Sequence, residues 1–129
     1  MVWPAAGSIP RDRGQAAVET ALVLPFVMAM VLVLVQVGLL VRDHILIVHA
    51  TREAARAAAV EPTTESAASA ALAATGLDPG RLQVETSGSR TAGGLLRVTV
   101  RYRPEPAVPI VGRFFPSMAL EEALTIRVE

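Results

Sequence analysis

Several residue types are missing or scarce in this chain of 129 residues, and each absence excludes some classes of function. There is no cysteine, which excludes disulfides, thiolate nucleophiles and cysteine metal ligands and is compatible with an exported domain. All 12 basic residues are arginine, and 12 acidic residues balance them, so no net basic field indicates nucleic acid. One tryptophan and one tyrosine, without basic and aromatic residues interleaved, also argue against a nucleic-acid surface.

Motifs for catalysis and metal binding are missing as well. Neither an HExxH zinc motif nor a GxSxG nucleophile elbow occurs. The glycines Gly88, Gly93 and Gly94 lack the lysine and the following helix of a phosphate-binding loop. His44 and His49 are five residues apart, which places them on different helix faces and favours a solvated surface over a metal site. We therefore expect a protein that is not an enzyme and needs neither metal nor cofactor.

A long apolar run is the main feature that the sequence does contain. No charged residue occurs from Thr20 to Val41, and as a helix this run is about 33 Å long, enough for a hydrocarbon core of about 30 Å. Glu19 stands directly before the run, where a carboxylate is costly unless it is paired or functional. The sequence thus predicts one membrane span over residues 20–41.

A cleaved secretory signal is the alternative to a retained anchor. Arg11 and Arg13 precede the run and Val48-His49-Ala50 loosely resembles a cleavage site, but the apolar region exceeds the ~7–15 residues of a signal core. We therefore favour an anchor. Because long domains cross membranes largely regardless of their charge, we expect a cytoplasmic N-terminus and an extracytoplasmic C-terminal domain.

The helix is predicted to continue beyond the membrane as far as Val60. The stretch RDHILIVHATREAARAAAV has helical spacing, with Ile45 and Val48 on one face, and no proline occurs before Pro62. Alanines recur on one side at helical offsets, and they are Ala50, Ala54, Ala57 and Ala58. Two interpretations of this stripe stay open, a packing face for another backbone or simply high helix propensity.

The remainder of the chain predicts a small α+β domain. TTESAASAALAATG predicts a second, shorter helix, capped by Thr63 or Thr64 and ended by Gly76. Alternating apolar and polar residues then predict three strands, over 82–86, 96–103 and 120–128, with a proline-rich loop, EPAVPIVGRFFPS, before the last. The apolar strand faces need a cover, so we expect a three-stranded antiparallel sheet packed on the long N-terminal helix, the helix that includes Ile45 and Val48.

The combination of residues near the N-terminus resembles a known family. Gly14-Gln15-Ala16-Ala17-Val18-Glu19 is similar to the prepilin pattern, and the whole stretch GQAAVETALVLP, followed by the span and HATREAARAAA, resembles the TadE-like family of the tight-adherence (Flp, type IVb) pilus machinery. Thr20 stands where the pseudopilins of this machinery commonly have an aromatic residue. The resemblance covers residues 14–59, and the architecture expected for residues 60–129 is compatible with it.

The resemblance implies a division of the chain and a set of functional residues. Residues 1–14 would be a cytoplasmic leader, 15–60 the long helix and 61–129 the extracytoplasmic domain. A prepilin peptidase would cut between Gly14 and Gln15, and Glu19 would then neutralise the terminal amine of a neighbouring subunit during assembly. The expected partners are the membrane, other pilin-like subunits, the assembly machinery and that peptidase.

Two functional hypotheses follow. The first is a non-catalytic, pilin-like component of tight-adherence pilus assembly or of a related secretion system. The second is an unprocessed single-pass membrane protein whose extracytoplasmic domain binds a partner or ligand at the cell surface. The N-terminal mass of the protein from its native membrane distinguishes the two.

Overall fold

The computed structural model describes residues 1–2, 11–105, 107, 113–114 and 118–129, with the backbone alone at residues 11–13. Most of the predicted leader and most of the predicted proline-rich loop lie outside these residues. The described chain contains two helices and a three-stranded sheet in the order α1, α2, β1, β2, β3. This is the predicted α+β architecture, a long N-terminal helix with a short second helix and an antiparallel sheet packed on it.

The first helix, α1, is Arg11–Val60, 50 residues that join the apolar run to the outer domain without a break. The helix starts before Gly14 and continues through Pro25. It ends directly before Glu61-Pro62, as predicted, because a residue that precedes proline is kept from helical geometry. At about 1.5 Å per residue, its length is close to 75 Å.

The second helix, α2, is Thr64–Thr75, and both of its ends are capped as the sequence indicates. The hydroxyl of Thr63 accepts a hydrogen bond from the backbone N–H of Ser66 at 3.1 Å. Gly76 adopts the left-handed conformation, φ 62°, and its N–H bonds the carbonyl of Leu72. Glycine takes this conformation without a Cβ penalty, which is why the helix stops here.

The sheet is antiparallel with the order β1-β2-β3, formed by Leu82–Gly88, Leu95–Tyr102 and Leu120–Arg127. Its register pairs Val84 with Val100 and Val98 with Leu124, so the apolar residues of the three strands share one face. Val98 and Val100 are fully buried, and Ile126 is half-buried. The predicted strands are confirmed, each boundary within two residues, and the inward face of β2 is buried, whereas Leu124 on β3 is 40% exposed.

One hydrophobic core joins the helices and the sheet. Its α1 members are Ile47, Ala50, Ala54, Ala55 and Ala58, its α2 members are Ala67 and Ala71, and the sheet adds Leu96, Val98, Val100 and Tyr102. The alanine stripe is therefore a packing face, which is the first of the two interpretations given above. The small side chains let the helix backbones approach closely.

The face of α1 that carries the sheet includes Ile47 and excludes Ile45. Ile45 is 63% exposed, whereas Ile47 is completely buried. Val48 is half-buried. Ile45 lies on the solvent side of the helix together with Arg52 and Arg56, which share its helical spacing.

Hydrogen bonds fix which end of the sheet faces away from the apolar run. The loop between β1 and β2 holds Val128 through two backbone bonds, from the N–H of Gly93 at 2.8 Å and to the carbonyl of Gly94 at 3.0 Å. The next residue, Glu129, donates its N–H to the carbonyl of Ala59 at 3.0 Å. The hairpin end of the sheet thus lies beside the end of α1 that is farthest from the run.

Candidate assembly segment of the long helix

The N-terminal part of α1 stands free of the rest of the domain. Every residue from Gly14 to Val31 is exposed, including large apolar side chains such as Leu22 at 66%, Phe26 at 77% and Met30 at 65%. This segment is called the free segment below. Water disfavours such a surface, whereas a lipid or protein environment stabilises it. By length and composition, α1 is the one helix in the described chain that could cross a membrane.

Gly14 and Gln15 lie on the surface of α1 and are its fourth and fifth residues. A Cβ atom added to Gly14 meets no atom within 4 Å, so packing within the chain does not require glycine here. Gly38, farther along the same helix, is equally open. If only small residues are tolerated at position 14, the reason must therefore be something other than folding.

Glu19 is exposed on the free segment, and none of the ion pairs among the described residues includes it. The neighbouring Thr20 turns its hydroxyl back onto the helix and donates to the carbonyl of Ala16 at 2.9 Å. Four residues, about one helical turn, separate Gln15 from Glu19. The helix therefore places residue 15 and the carboxylate of residue 19 near the same face, with the carboxylate free to pair.

A buried stripe starts on α1 at Leu32, inside the predicted span. Leu32, Leu39 and Leu40 are half-buried and Gln36 is only 4% exposed. Since an isolated helix leaves its side chains exposed, other parts of the chain cover this face. The covered positions continue at helical spacing into Ile47 and the alanine stripe. Burial on this face of α1 thus begins inside the apolar run.

Gln36 is a polar residue that sequence reasoning missed. Its Oε1 atom is buried and has no hydrogen-bond partner in the described chain. An unpaired buried acceptor costs about 1–3 kcal/mol. Gln36 precedes Leu40, Asp43 and Ile47 by 4, 7 and 11 residues, the spacing of one helix face, but this spacing alone does not show that the face is covered.

Asp43 is the first residue of the buried stripe that lies beyond the end of the apolar run. Partial burial raises the pKa of its carboxyl group above the ordinary 3.8, and the positive charge of Arg42 opposes that shift. On the sheet, burial raises the pKa of Tyr102, and the negative charge of Asp43 raises it further. Tyr102 is 8% exposed and ends β2, so this end of the sheet lies beside Asp43.

The outer face of the sheet carries a groove of about 430 Å³ with three arginines. Its lining residues are Gly80, Arg81, Gln83, Arg101, Arg103, Ala119 and Glu121. Arg101 pairs with Glu121 at 2.7 Å and with Glu85 at 3.6 Å. Arg81 pairs with Asp78 at 3.3 Å and with Glu105 at 3.0 Å. Carboxylates thus compensate two of the three arginines, whereas none of the ion pairs among the described residues includes Arg103.

The remaining titratable residues do not assemble a centre. Within the described ranges, no group of three histidine, aspartate or glutamate side chains could hold a metal ion. His44 and His49 are exposed on the helix surface. The distinctive surface of the described chain is thus the free segment with its single carboxylate.

Comparison with known proteins supports the resemblance of this region. Residues 14–56, which include the free segment and most of the buried stripe, match the family model described as TadE-like protein. The match covers a third of the chain and ends within the alanine stripe. Neither the curated proteins nor the solved structures gave a match.

Proposed function

With a TadE-like segment over residues 14–56 as the premise, we propose that this chain is a non-catalytic, pilin-like component of tight-adherence pilus assembly or of a related secretion system. It is anchored by α1 in the cell membrane as a single-pass protein, with its N-terminus in the cytoplasm and residues 61–129 outside. A prepilin peptidase removes residues 1–14, and the chain then assembles with other pilin-like subunits.

The observation that carries the proposal is the free segment. Its side chains are exposed on all sides from Gly14 to Val31, although most are apolar, and the family match begins at its first residue. A helix that is apolar all round is stable in a bilayer or among other helices. The same surface therefore serves two environments, the membrane before assembly and neighbouring subunits afterwards.

Glu19 has a defined role in this proposal. Cleavage before Gln15 creates an amine about one helical turn from the carboxylate of Glu19. Gln15 and Glu19 are both exposed on α1, so the new amine and the carboxylate would each be available to the opposite charge of an adjacent copy. Two opposite charges attract more strongly in a poorly solvating medium than in water, which favours subunits in the register that brings them together.

The test is the N-terminal mass of the protein isolated from its native membrane. The proposal expects a chain that starts at Gln15 in cells with an active prepilin peptidase. Replacing Gly14 with leucine should leave the uncut chain in the membrane, because the peptidase needs a small residue at the cut and the structure has room for the larger side chain.

A matched control is Gly38→Leu, an equally open glycine on the same helix. This variant should be processed normally. Residues 1–14 retained on most of the wild-type protein would favour the alternative, an unprocessed membrane protein whose outer domain binds a partner. Equal processing of wild type and Gly14→Leu would likewise contradict the assigned cut.

A further inference from the structure

The outer domain is oriented along α1 by contacts at both ends of its sheet. Backbone hydrogen bonds tie the hairpin end to Ala59 through Val128 and Glu129. From Ala59 back to Asp43, α1 spans about 24 Å at 1.5 Å per residue. The eight residues of β2 span about 26 Å at 3.3 Å per residue. The opposite end of the sheet, at Tyr102 and Leu120, is therefore level with Asp43.

This level is where the uncharged run ends. The next helix residue toward the membrane from Asp43 is Arg42, and Val41 is the last residue of the run. Residues adjoining the sheet end must therefore lie at the membrane surface whenever α1 crosses a bilayer. They include Arg103, directly after β2, and Met118, two residues before β3.

The described residues at this end of the sheet, and those in the connection that joins β2 to β3, combine apolar and basic side chains. Met118 is 55% exposed and Phe114, in the same connection between β2 and β3, is 81% exposed. Arg42, Arg103 and Arg113 are exposed, and the ion pairs among described residues do not include them. Apolar side chains with arginines beside them suit the boundary between lipid headgroups and acyl chains, where the arginine stem stays in apolar surroundings and the guanidinium reaches phosphate.

The burial of one face of α1 inside the apolar run also supports an outer domain that lies at the membrane surface. One face of the helix is already covered at Leu32 and Gln36, about 16 and 10 Å below Asp43 at 1.5 Å per residue. Some of the chain thus accompanies the helix into the apolar run. A domain held above the membrane by a bare helix would leave these residues exposed.

We propose that the outer domain is seated in the membrane surface, with Met118 in the headgroup–acyl boundary of the leaflet from which α1 emerges and with Arg42 and Arg103 on lipid phosphates. This inference rests on the proposed insertion of α1. The partner is the phospholipid bilayer itself, since the surface is continuous with the membrane-spanning helix. Subunits that leave the membrane must then detach the domain from lipid as well as the helix.

The experiment places a single tryptophan at one of three positions in the full-length protein, after Trp3, the one native tryptophan, is replaced by phenylalanine. The positions are Phe26 in the free segment, Met118 at the membrane-facing end, and Leu95, which is 60% exposed at the hairpin end. Each variant is reconstituted in vesicles of phosphatidylethanolamine and phosphatidylglycerol. Fluorescence is then compared with vesicles whose acyl chains are brominated and therefore quench tryptophan.

Bromination should reduce the emission of Phe26→Trp and Met118→Trp and leave that of Leu95→Trp unchanged. Aqueous iodide should give the opposite order, with Leu95→Trp quenched most. If bromination quenches Phe26→Trp but not Met118→Trp, the proposal that the outer domain is seated in the membrane surface is wrong, while the membrane span is supported. Absence of quenching at Phe26 overturns both the span and the inference that depends on it.

A second experiment tests the proposed contact between Arg103 and lipid phosphate. In vesicles, Arg103→Gln should make the Met118→Trp probe more accessible to iodide, and Arg97→Gln, on the exposed face of β2, should not. Equal effects of the two substitutions would exclude a specific contact at Arg103.

Discussion

Asp43 carries a carboxyl group that burial shifts toward its neutral form. Because its pKa in the folded chain lies above the ordinary 3.8, the stabilising contribution is complete below that value and is lost as the pH rises through the folded pKa. At neutral pH the folded protein therefore bears the desolvation cost of this charge. The nearby Arg42 reduces the cost but does not remove it.

Asp43→Asn should consequently raise the melting temperature at pH 7, since the amide keeps the shape of the side chain without its charge. At pH 3, where most of the wild-type carboxyl is already protonated, the two proteins should melt at nearly the same temperature. Circular dichroism of the detergent-solubilised protein at the two pH values measures the difference. A gain of equal size at both would show that the charge of Asp43 is not its cause.

At the scale of an element, the alanine stripe of α1 has no spare volume. Ala54 is 0% exposed and belongs to the core shared with α2 and the sheet. Ala54→Leu should destabilise the domain by about 1–3 kcal/mol, because added methylenes in a packed core displace their neighbours. Thermal or chemical unfolding of the solubilised protein gives this value.

The matched control is Ala74→Leu, on the exposed side of α2. A substitution there should change stability by less than about 0.5 kcal/mol, as at other surface positions. Similar losses for the two variants would mean that leucine lowers stability for a reason other than close packing of the stripe.

The individual elements follow from local sequence signals. Pro62 sets the end of α1, Thr63 and Gly76 set the ends of α2, and alternation gives the strands with their inward faces. These signals are local because capping groups and strand periodicity involve neighbouring residues. Which side of α1 meets the sheet depends on distant contacts, so the local sequence pattern does not identify it.

The candidate site was predictable only in its linear part. Gly14, Gln15 and Glu19 are recognisable from their spacing before an apolar run, and the family match begins at Gly14. The covered face at Leu32 and Gln36 could not be predicted as part of the domain, because a uniform run of apolar residues gives no sign of which side is covered. Gln36 is a polar residue within that run, and only the fold shows that it lies on the covered face of α1.

For the whole molecule, assembly is the property that the Glu19 charge is expected to affect. Glu19→Gln retains size and hydrogen bonding, so insertion, processing and abundance should be unchanged while pilus formation or co-purification of partner subunits is lost. A contribution of about 1.4 kcal/mol per contact would already change each association tenfold. Glu65→Gln, an exposed glutamate on α2, is the control and should assemble normally. Normal assembly of Glu19→Gln would leave the residue as a carboxylate favoured by the nearby helix N-terminus.

The continuity of α1 also determines how force passes through the molecule. The free segment and the core of the outer domain belong to one helix of 50 residues, with no loop between them to take up a displacement. Movement of Glu19 along the helix axis moves Ala54 by the same distance, and rotation of the free segment turns the sheet that is packed on Ile47. A pull or twist on the N-terminal end of α1 therefore acts directly on the outer domain, and a load on that domain passes back along the same helix.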